Sequence, residues 1–284
     1  MRRRMHTAVG AERVPKTHEA PRNAASATRA SHKLRATGRS DIRSVKKDII
    51  EERSGGDAPP EGIDPRLIIW LSPSFPVGAF AYSHGLELAA ERGWVRDRDA
   101  LSAWLADLVR NGSLRNDMVF LSAAWRAVAA SDDVALKSVN ELALALQPSA
   151  ERRLETVTQG NAFLATLVAA WPVGRLATVT NTLRSDVAYP VAVGAGAAAH
   201  GIAIGGVLYA FGIAFVANLV SAAIRLSIVG QTDAQRVIAS LMPAVAEAAR
   251  MAELATLDDI GSATLRSDLA SLAHETQYSR LFRS

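Results

Sequence analysis

The longest uncharged stretch of the chain, residues 187–224, reads VAYPVAVGAGAAAHGIAIGGVLYAFGIAFVANLVSAAI and contains 38 residues without Asp, Glu, Lys or Arg. About 20 apolar residues span a bilayer, so the stretch is long enough for a transmembrane hairpin. Alanine and glycine predominate in it, however, and Arg184 is the one basic residue close to its N-terminal end. Small side chains let helices pack closely. The stretch therefore predicts two buried helices of a soluble protein, with a small integral membrane protein anchored by residues 187–224 as the alternative.

The sequence on both sides of this stretch has the apolar spacing of amphipathic helices. In one segment the apolar residues fall at i, i+3, i+4, i+7 and i+8, which is one face of a helix; they are Leu101, Trp104, Leu105, Leu108 and Val109. Further helices are predicted over residues 82–91, after an N-cap at Ser149, and after a capping box formed by Thr232 and Gln235. No sustained period-2 alternation occurs, so we predict an all-α fold with a single bundle of about eight to ten helices over residues 61–284.

Charge and composition divide the chain into two parts. Residues 1–65 carry 14 Lys and Arg against 9 Asp and Glu, a net charge of +5, while residues 66–284 carry 18 against 19, a net charge of −1. Residues 1–60 have no apolar period, so we predict a disordered basic arm and linker there. The body lacks the basic surface that nucleic-acid binding needs, so no nucleic-acid partner is expected. The chain contains no Cys, which excludes disulfides, thiolate metal sites and a Cys nucleophile.

Several motifs suggest chemistry but lack the context that the chemistry needs. Residues 194–199, GAGAAA, fit the dinucleotide pattern G-x-G-x-x-A, but no acidic residue follows at the required distance of about 20 residues. Ser83 lies in AYSHG, which resembles a nucleophile elbow, yet the preceding residues indicate a turn rather than a strand. His84, His200 and His274 do not have metal-ligand spacing. We therefore predict no catalytic residue, no cofactor and no metal site, with a Ser83 hydrolase as a minor alternative.

Two further segments have unusually specific sequences. Residues 71–87 read LSPSFPVGAFAYSHGLE, and residues 274–284 read HETQYSRLFRS. In the first, Pro73 and Pro76 restrict φ and Gly78 is expected to adopt a positive φ, so we predict a structural turn. The second has the aromatic and basic composition of a binding peptide.

Both segments resemble the opening and the ending of the urease accessory protein UreF family, and the resemblance covers about residues 66–284. It implies an all-α, non-enzymatic, cytoplasmic homodimer that bridges the UreD (also called UreH) scaffold and the UreG GTPase. Together these proteins insert nickel into apo-urease, and nickel is handled by the complex rather than held by this chain as a cofactor. The resemblance implies neither a membrane nor a nucleic-acid partner.

One candidate contact for UreG lies around the end of the uncharged stretch. Arg225, Gly230 and Gln231 are predicted to present polar groups beside an apolar helix pair. The alternative is that Arg225 forms an internal salt bridge, for instance with Asp233.

The C-terminal segment from residue 274 is the candidate contact for UreD, through His274, Glu275, Tyr278, Arg280, Phe282 and Arg283. Tyr278 and Phe282 are four residues apart, so a helical turn would place both rings on one face. Such a segment is expected to be mobile alone and to become ordered on binding. The alternative is a C-terminal strap on the protein's own core, and the residues alone leave the two interpretations even.

Overall fold

The computed structural model describes residues 62–284, and within this range every regular element is helical. The α-helices are α1 (Pro65–Trp70), α2 (Leu86–Glu91), α3 (Arg98–Asn111), α4 (Ser113–Ala130), α5 (Asp133–Ala145), α6 (Ala150–Ala170), α7 (Gly174–Leu183), α8 (Tyr189–Ala199), α9 (Ile204–Arg225), α10 (Gln231–Leu254) and α11 (Leu265–His274). Nine of those described have ten or more residues. The predicted all-α fold is thus confirmed, while the arm predicted over residues 1–60 lies outside the described residues.

The uncharged stretch forms helices α8 and α9 at the centre of the described bundle. Residues 190–197 of α8 are all buried, and α8 packs against α4 and α6. Helix α9 packs along α10, and α10 in turn packs against α3. The core is therefore assembled around the segment that carries no charge, because a charged side chain at these positions would lose its hydration without gaining a partner.

Helix α8 approaches α4 at a distance that only glycine permits. A Cβ atom built on Gly194 would lie 2.2 Å from the carbonyl oxygen of Leu121, which belongs to the backbone of α4. The glycines of residues 194–199 therefore serve helix packing. They lie inside a helix and not between a strand and a helix, so the dinucleotide-binding interpretation is not supported.

The membrane alternative depends on the same two helices. Helix α8 has 11 residues, about half the length that spans a bilayer. Helix α9, with 22 residues, is the one helix of the described range that is long and apolar enough to cross, and half of its apolar window is buried inside the protein. A core helix passes the same test of length and composition. A transmembrane hairpin over residues 187–224 is therefore not supported.

The helix starts agree with the sequence in part. Ser149 caps α6 as predicted, since its side chain accepts a hydrogen bond from the N–H of Arg152. The capping box at Thr232 is wrong: α10 begins at Gln231, after Gly230, and its cap makes no side-chain hydrogen bond. The helix predicted over residues 82–91 begins only at Leu86, because the two residues before it have a positive φ and leave the helical conformation.

We predict that Gly194→Ala lowers the free energy of unfolding by at least about 2 kcal/mol, because the added methyl group collides with the α4 backbone. Gly206→Ala is the matched control, since a Cβ there would have no neighbour closer than 4.0 Å. The control should leave stability within about 1 kcal/mol of the wild type, with a gain in helix propensity. Urea unfolding followed by circular dichroism measures both. Equal midpoints for the two variants would contradict the close approach of α8 and α4.

Candidate partner-binding surface

The predicted turn over residues 72–78 is confirmed in its central feature. Gly78 has φ 76° and ψ 18°, a left-handed conformation that strains any residue with a Cβ. Phe75 and Val77 point into the core, and Pro73 and Pro76 are exposed. The turn therefore fixes the chain path so that Phe80, which follows it, is presented at the surface with 64% exposure.

The side chain of Arg225, at the end of α9, lies between two aromatic rings. Its guanidinium carbon is 3.5 Å from the ring centroid of Phe80 and 4.3 Å from that of Phe282. Its Nη1 donates a hydrogen bond of 2.7 Å to the carbonyl oxygen of Phe80. Burial in this stack lowers the pKa of Arg225. Arg225 is thus half-buried and joins the turn to the C-terminal segment.

The predicted alternative partner of Arg225 is wrong, because Asp233 pairs with other arginines. Its carboxylate is 2.7 Å from Nη1 of Arg236 and 3.9 Å from Nη1 of Arg98. Gly230 and Gln231, the other members of the predicted patch, are exposed at the start of α10. Of the three residues of the predicted patch, Gly230 and Gln231 are therefore accessible, while the Arg225 side chain packs between the two aromatic rings.

The C-terminal segment is held by two buried groups near the start of α2. The Glu87 carboxylate accepts hydrogen bonds from the backbone N–H of Leu281 at 2.6 Å and of Phe282 at 3.0 Å. The carbonyl oxygen of Ser284 accepts from both the backbone N–H of Ser83 at 2.8 Å and the Ser83 hydroxyl at 2.6 Å. The segment therefore lies as a strap on the protein's own core, one of the two interpretations left open by the sequence.

The start of the strap is tied to α6 by ionic contacts. His274 is fully buried, and its Nδ1 is 2.6 Å from Glu151 while its Nε2 is 3.2 Å from Glu87. Each ring nitrogen of His274 is therefore within hydrogen-bond distance of a carboxylate oxygen. Arg280 also pairs with Glu151, and Glu275 accepts a 2.7 Å hydrogen bond from the N–H of Ala150. These predicted partner-binding side chains thus have internal partners.

The helical turn predicted for Tyr278 and Phe282 is wrong. Helix α11 ends at His274, and the following N–H groups of Leu281 and Phe282 are bonded to a side chain instead of to helical carbonyls. Phe282 is 4% exposed and stacked on Arg225, whereas Tyr278 is wholly exposed. The two rings therefore do not share a face. Arg283 is exposed, and its N–H donates to the carbonyl of Ala81.

An exposed apolar stripe on α11 was missed by the sequence interpretation. Leu265, Leu269 and Leu272 are 68%, 50% and 47% exposed, and their i, i+4, i+7 spacing places them on one face. Tyr278 and Leu281 of the strap are also exposed apolar side chains. The i, i+4, i+7 spacing of these leucines can be read from the sequence, but a buried helix face has the same spacing as an exposed one. Only the structure shows that this face is exposed.

The hydrolase alternative is not supported by the position of Ser83. Its side chain is fully buried, and its hydroxyl is donated to the carbonyl of Ser284. A Ser hydrolase also needs a general base, and His274, a histidine of the same C-terminal region as Ser284, has both ring nitrogens next to Glu carboxylates. Within residues 62–284 no group of three or more His, Asp or Glu side chains is arranged to hold a metal ion.

The chain is similar to known proteins over most of its length. The family model described as UreF matches residues 95–242. A urease accessory protein UreF of Methylorubrum populi is 55% identical over 219 residues, which cover 77% of this chain and 98% of that protein. Proteins of the same name from Rhodopseudomonas palustris, 54% identical with 77% and 90% covered, and from Azorhizobium caulinodans, 52% identical with 80% and 97% covered, are also similar.

We predict that Glu87→Ala lowers the free energy of unfolding by about 2–4 kcal/mol, because three donors, two of them buried, lose their acceptor. Glu91→Ala on the same helix is the control: Glu91 is exposed and accepts one hydrogen bond from Gln277. The control should stay within about 0.5 kcal/mol of the wild type. Thermal and urea unfolding of the two variants decide the matter, and an unchanged Glu87→Ala midpoint would mean that the strap contributes little to stability.

Proposed function

The chain belongs to the UreF family of urease accessory proteins, and on this premise we propose that it is the adaptor that joins the UreD (UreH) scaffold to the UreG GTPase during nickel insertion into apo-urease. It is an accessory protein and not an enzyme. We further propose that it works in the cytoplasm as a homodimer, and that nickel is cargo of the assembled complex and not a resident cofactor of this chain.

The observation that carries the adaptor proposal is the exposed apolar surface of α11 and the strap. Three leucines of α11 and the ring of Tyr278 are exposed on it. Large exposed apolar patches on soluble proteins mark interaction sites, because they cost free energy while they face water. An aromatic ring such as Tyr278 is a typical binding anchor, since it buries much area with few rotatable bonds. We assign this surface to the UreD scaffold.

The same geometry divides the C-terminal residues into two roles. His274, Glu275, Arg280 and Phe282 shape and hold the strap through internal contacts, so they support the surface from behind. Tyr278, Leu281 and Arg283 are exposed and are available to UreD. The scaffold therefore binds a surface that is already folded, which avoids the entropic cost of ordering the segment on binding.

We assign the contact for UreG to the side of the Arg225 stack that carries Phe80, opposite the strap residue Phe282. Phe80 is exposed there, and Gly230 and Gln231 are accessible at the start of α10. Arg225 itself supports Phe80 through the stack and the hydrogen bond to its carbonyl. In this proposal Arg225 acts by positioning Phe80 and not by direct charge pairing with the GTPase.

We predict that the double variant Leu269→Ala with Tyr278→Ala weakens binding of UreD at least about tenfold, a change of about 1.4 kcal/mol. Its melting temperature should stay close to that of the wild type, because both side chains are exposed. Ser279→Ala is the control that keeps the chain path and the apolar surface. Pull-down with UreD and a thermal melt on the same samples test this, and full retention of UreD by the double variant would place the scaffold contact elsewhere.

We predict that Arg225→Ala weakens recruitment of UreG while the complex with UreD remains whole. The variant loses two aromatic contacts and two hydrogen bonds, to the carbonyls of Phe80 and Ser221, so a modest fall in melting temperature is also expected. Assays are therefore run well below the melting transition. A fall in stability with unchanged UreG affinity would show that the stack is purely structural.

A further inference from the structure

A cavity of about 200 Å³ lies beneath the turn that leads to Phe80, enclosed by the turn, α4, α6, α8 and α9. Its walls are mostly apolar and include the rings of Phe75, Tyr189, Phe211 and Phe215, while the polar groups come chiefly from His84, Asp117, Arg152, Glu155 and Gln159. We propose that this cavity, called here the His84 cavity, binds a small organic cation of the ammonium or amidinium class through His84 Nδ1 and the Asp117 carboxylate. The inference is independent of the adaptor role.

The hydrogen-bonding state of His84 leaves an acceptor without a donor. Its Nε2 lies 2.8 Å from Oε1 of Glu155. A carboxylate accepts, so Nε2 carries the hydrogen. Burial, with a contribution from Arg152, lowers the pKa of His84, and the ring is therefore neutral. The lone pair then lies on Nδ1, which is buried and has no hydrogen-bond partner among the described residues.

The backbone holds this imidazole in place at an energetic cost. His84 is 8% exposed, and its φ of 55° is in the left-handed region. Such a conformation costs free energy for a residue with a Cβ, and it occurs most often at functional sites. Its ring also packs edge-on against Phe215, with 5.0 Å between the ring centroids. An acceptor that is buried, strained and unpartnered indicates a ligand that donates a hydrogen bond.

Asp117 supplies the negative charge. Its carboxylate lines the same cavity and makes no hydrogen bond within residues 62–284. Desolvation raises the pKa of Asp117 to about 7, because the ionised form has lost part of its hydration, although the charge of Arg152 acts in the opposite direction. A bound cation would restore both the charge balance and the donors that Asp117 lacks.

Glu155 is not available to the ligand, because its two oxygens already have four donors. Oε1 accepts from His84 and from Gln159 at 2.9 Å, and Oε2 accepts from Arg152 and from Ser284 at 2.8 Å. Burial acts to raise the pKa of Glu155, but Arg152, His84 and Ser284 together lower it to about 2. Arg152 therefore pairs directly with Glu155, while Asp117 feels the charge of Arg152 but forms no ion pair with any of the described residues.

The size and lining of the cavity favour an organic cation over a metal ion. The described residues offer no set of three metal ligands here, and one imidazole with one carboxylate is fewer than a structural metal site uses. Aromatic rings attract organic cations through their π faces. A cavity volume of about 200 Å³ lies below the range of about 300–1,000 Å³ of pockets for drug-sized ligands, which suits a ligand of a few non-hydrogen atoms.

The test titrates the full-length protein with methylguanidinium chloride and, separately, with the uncharged isostere methylurea. The solutions are at pH 8, where Asp117 is ionised, and at matched ionic strength. The readout is the ¹⁵N chemical shift of His84 Nδ1, which changes when its lone pair accepts a hydrogen bond. We expect saturable binding of methylguanidinium in the millimolar range and at least tenfold weaker binding of methylurea.

Asp117→Asn keeps the shape of the side chain and removes its charge, so it should weaken methylguanidinium binding at least tenfold. Asp107→Asn, an exposed position on α3, is the control and should bind like the wild type. Absence of a saturable shift, equal binding of the two probes, or a cavity that holds only water in a crystal soaked with methylguanidinium would each overturn the proposal. The comparison of the two probes on the wild type decides the matter even if a variant does not fold. None of these results depends on UreD or UreG.

Discussion

The close approach of α8 to α4 is the constraint on which the rest of the described structure depends. A backbone carbonyl of α4 occupies the space where a Cβ of Gly194 would stand, so the two helices pack backbone to backbone. Helix α8 also packs against α6, α7 and α9, and its residues 190–197 are all buried, so this part of the helix has no accessible position for a charged residue. In such dense packing, any added volume displaces the neighbouring elements. The close approach of α8 to α4 therefore helps to set the positions of α6 and α9, which line the His84 cavity.

A second set of contacts joins the two ends of the described chain. The motif over residues 71–87 and the ending over residues 274–284 are about 200 residues apart in sequence, yet Glu87 bonds Leu281 and Phe282, and Ser83 bonds Ser284. The two segments that carry the family resemblance are therefore one structural unit. A buried carboxylate is stable there only because each of its oxygens has donors, which makes both segments sensitive to change in the other.

This unit places the surfaces proposed for the two partners on a common support. The strap is held from behind by Glu87 and Glu151, and the Arg225 guanidinium lies between Phe282 of the strap and Phe80 of the turn. An adaptor needs surfaces that are accessible but held in fixed orientations, since every side chain that must be ordered on binding reduces affinity. The internal salt bridges and stacks of the strap meet this need without using its exposed residues.

The sequence by itself determined the helical class, the central position of residues 187–224, the positive φ at Gly78 and the family. These properties follow from local chemistry: apolar period, absence of charge, restricted φ and specific short motifs. Only the tertiary structure decided which way the C-terminal side chains point. Tyr278 and Phe282 are equivalent in spacing arguments, but one is exposed and the other is 4% exposed, because Glu87 takes the N–H groups that a helical turn would need. The His84 cavity was likewise beyond the sequence, since it depends on side chains that folding brings together from distant positions in the chain.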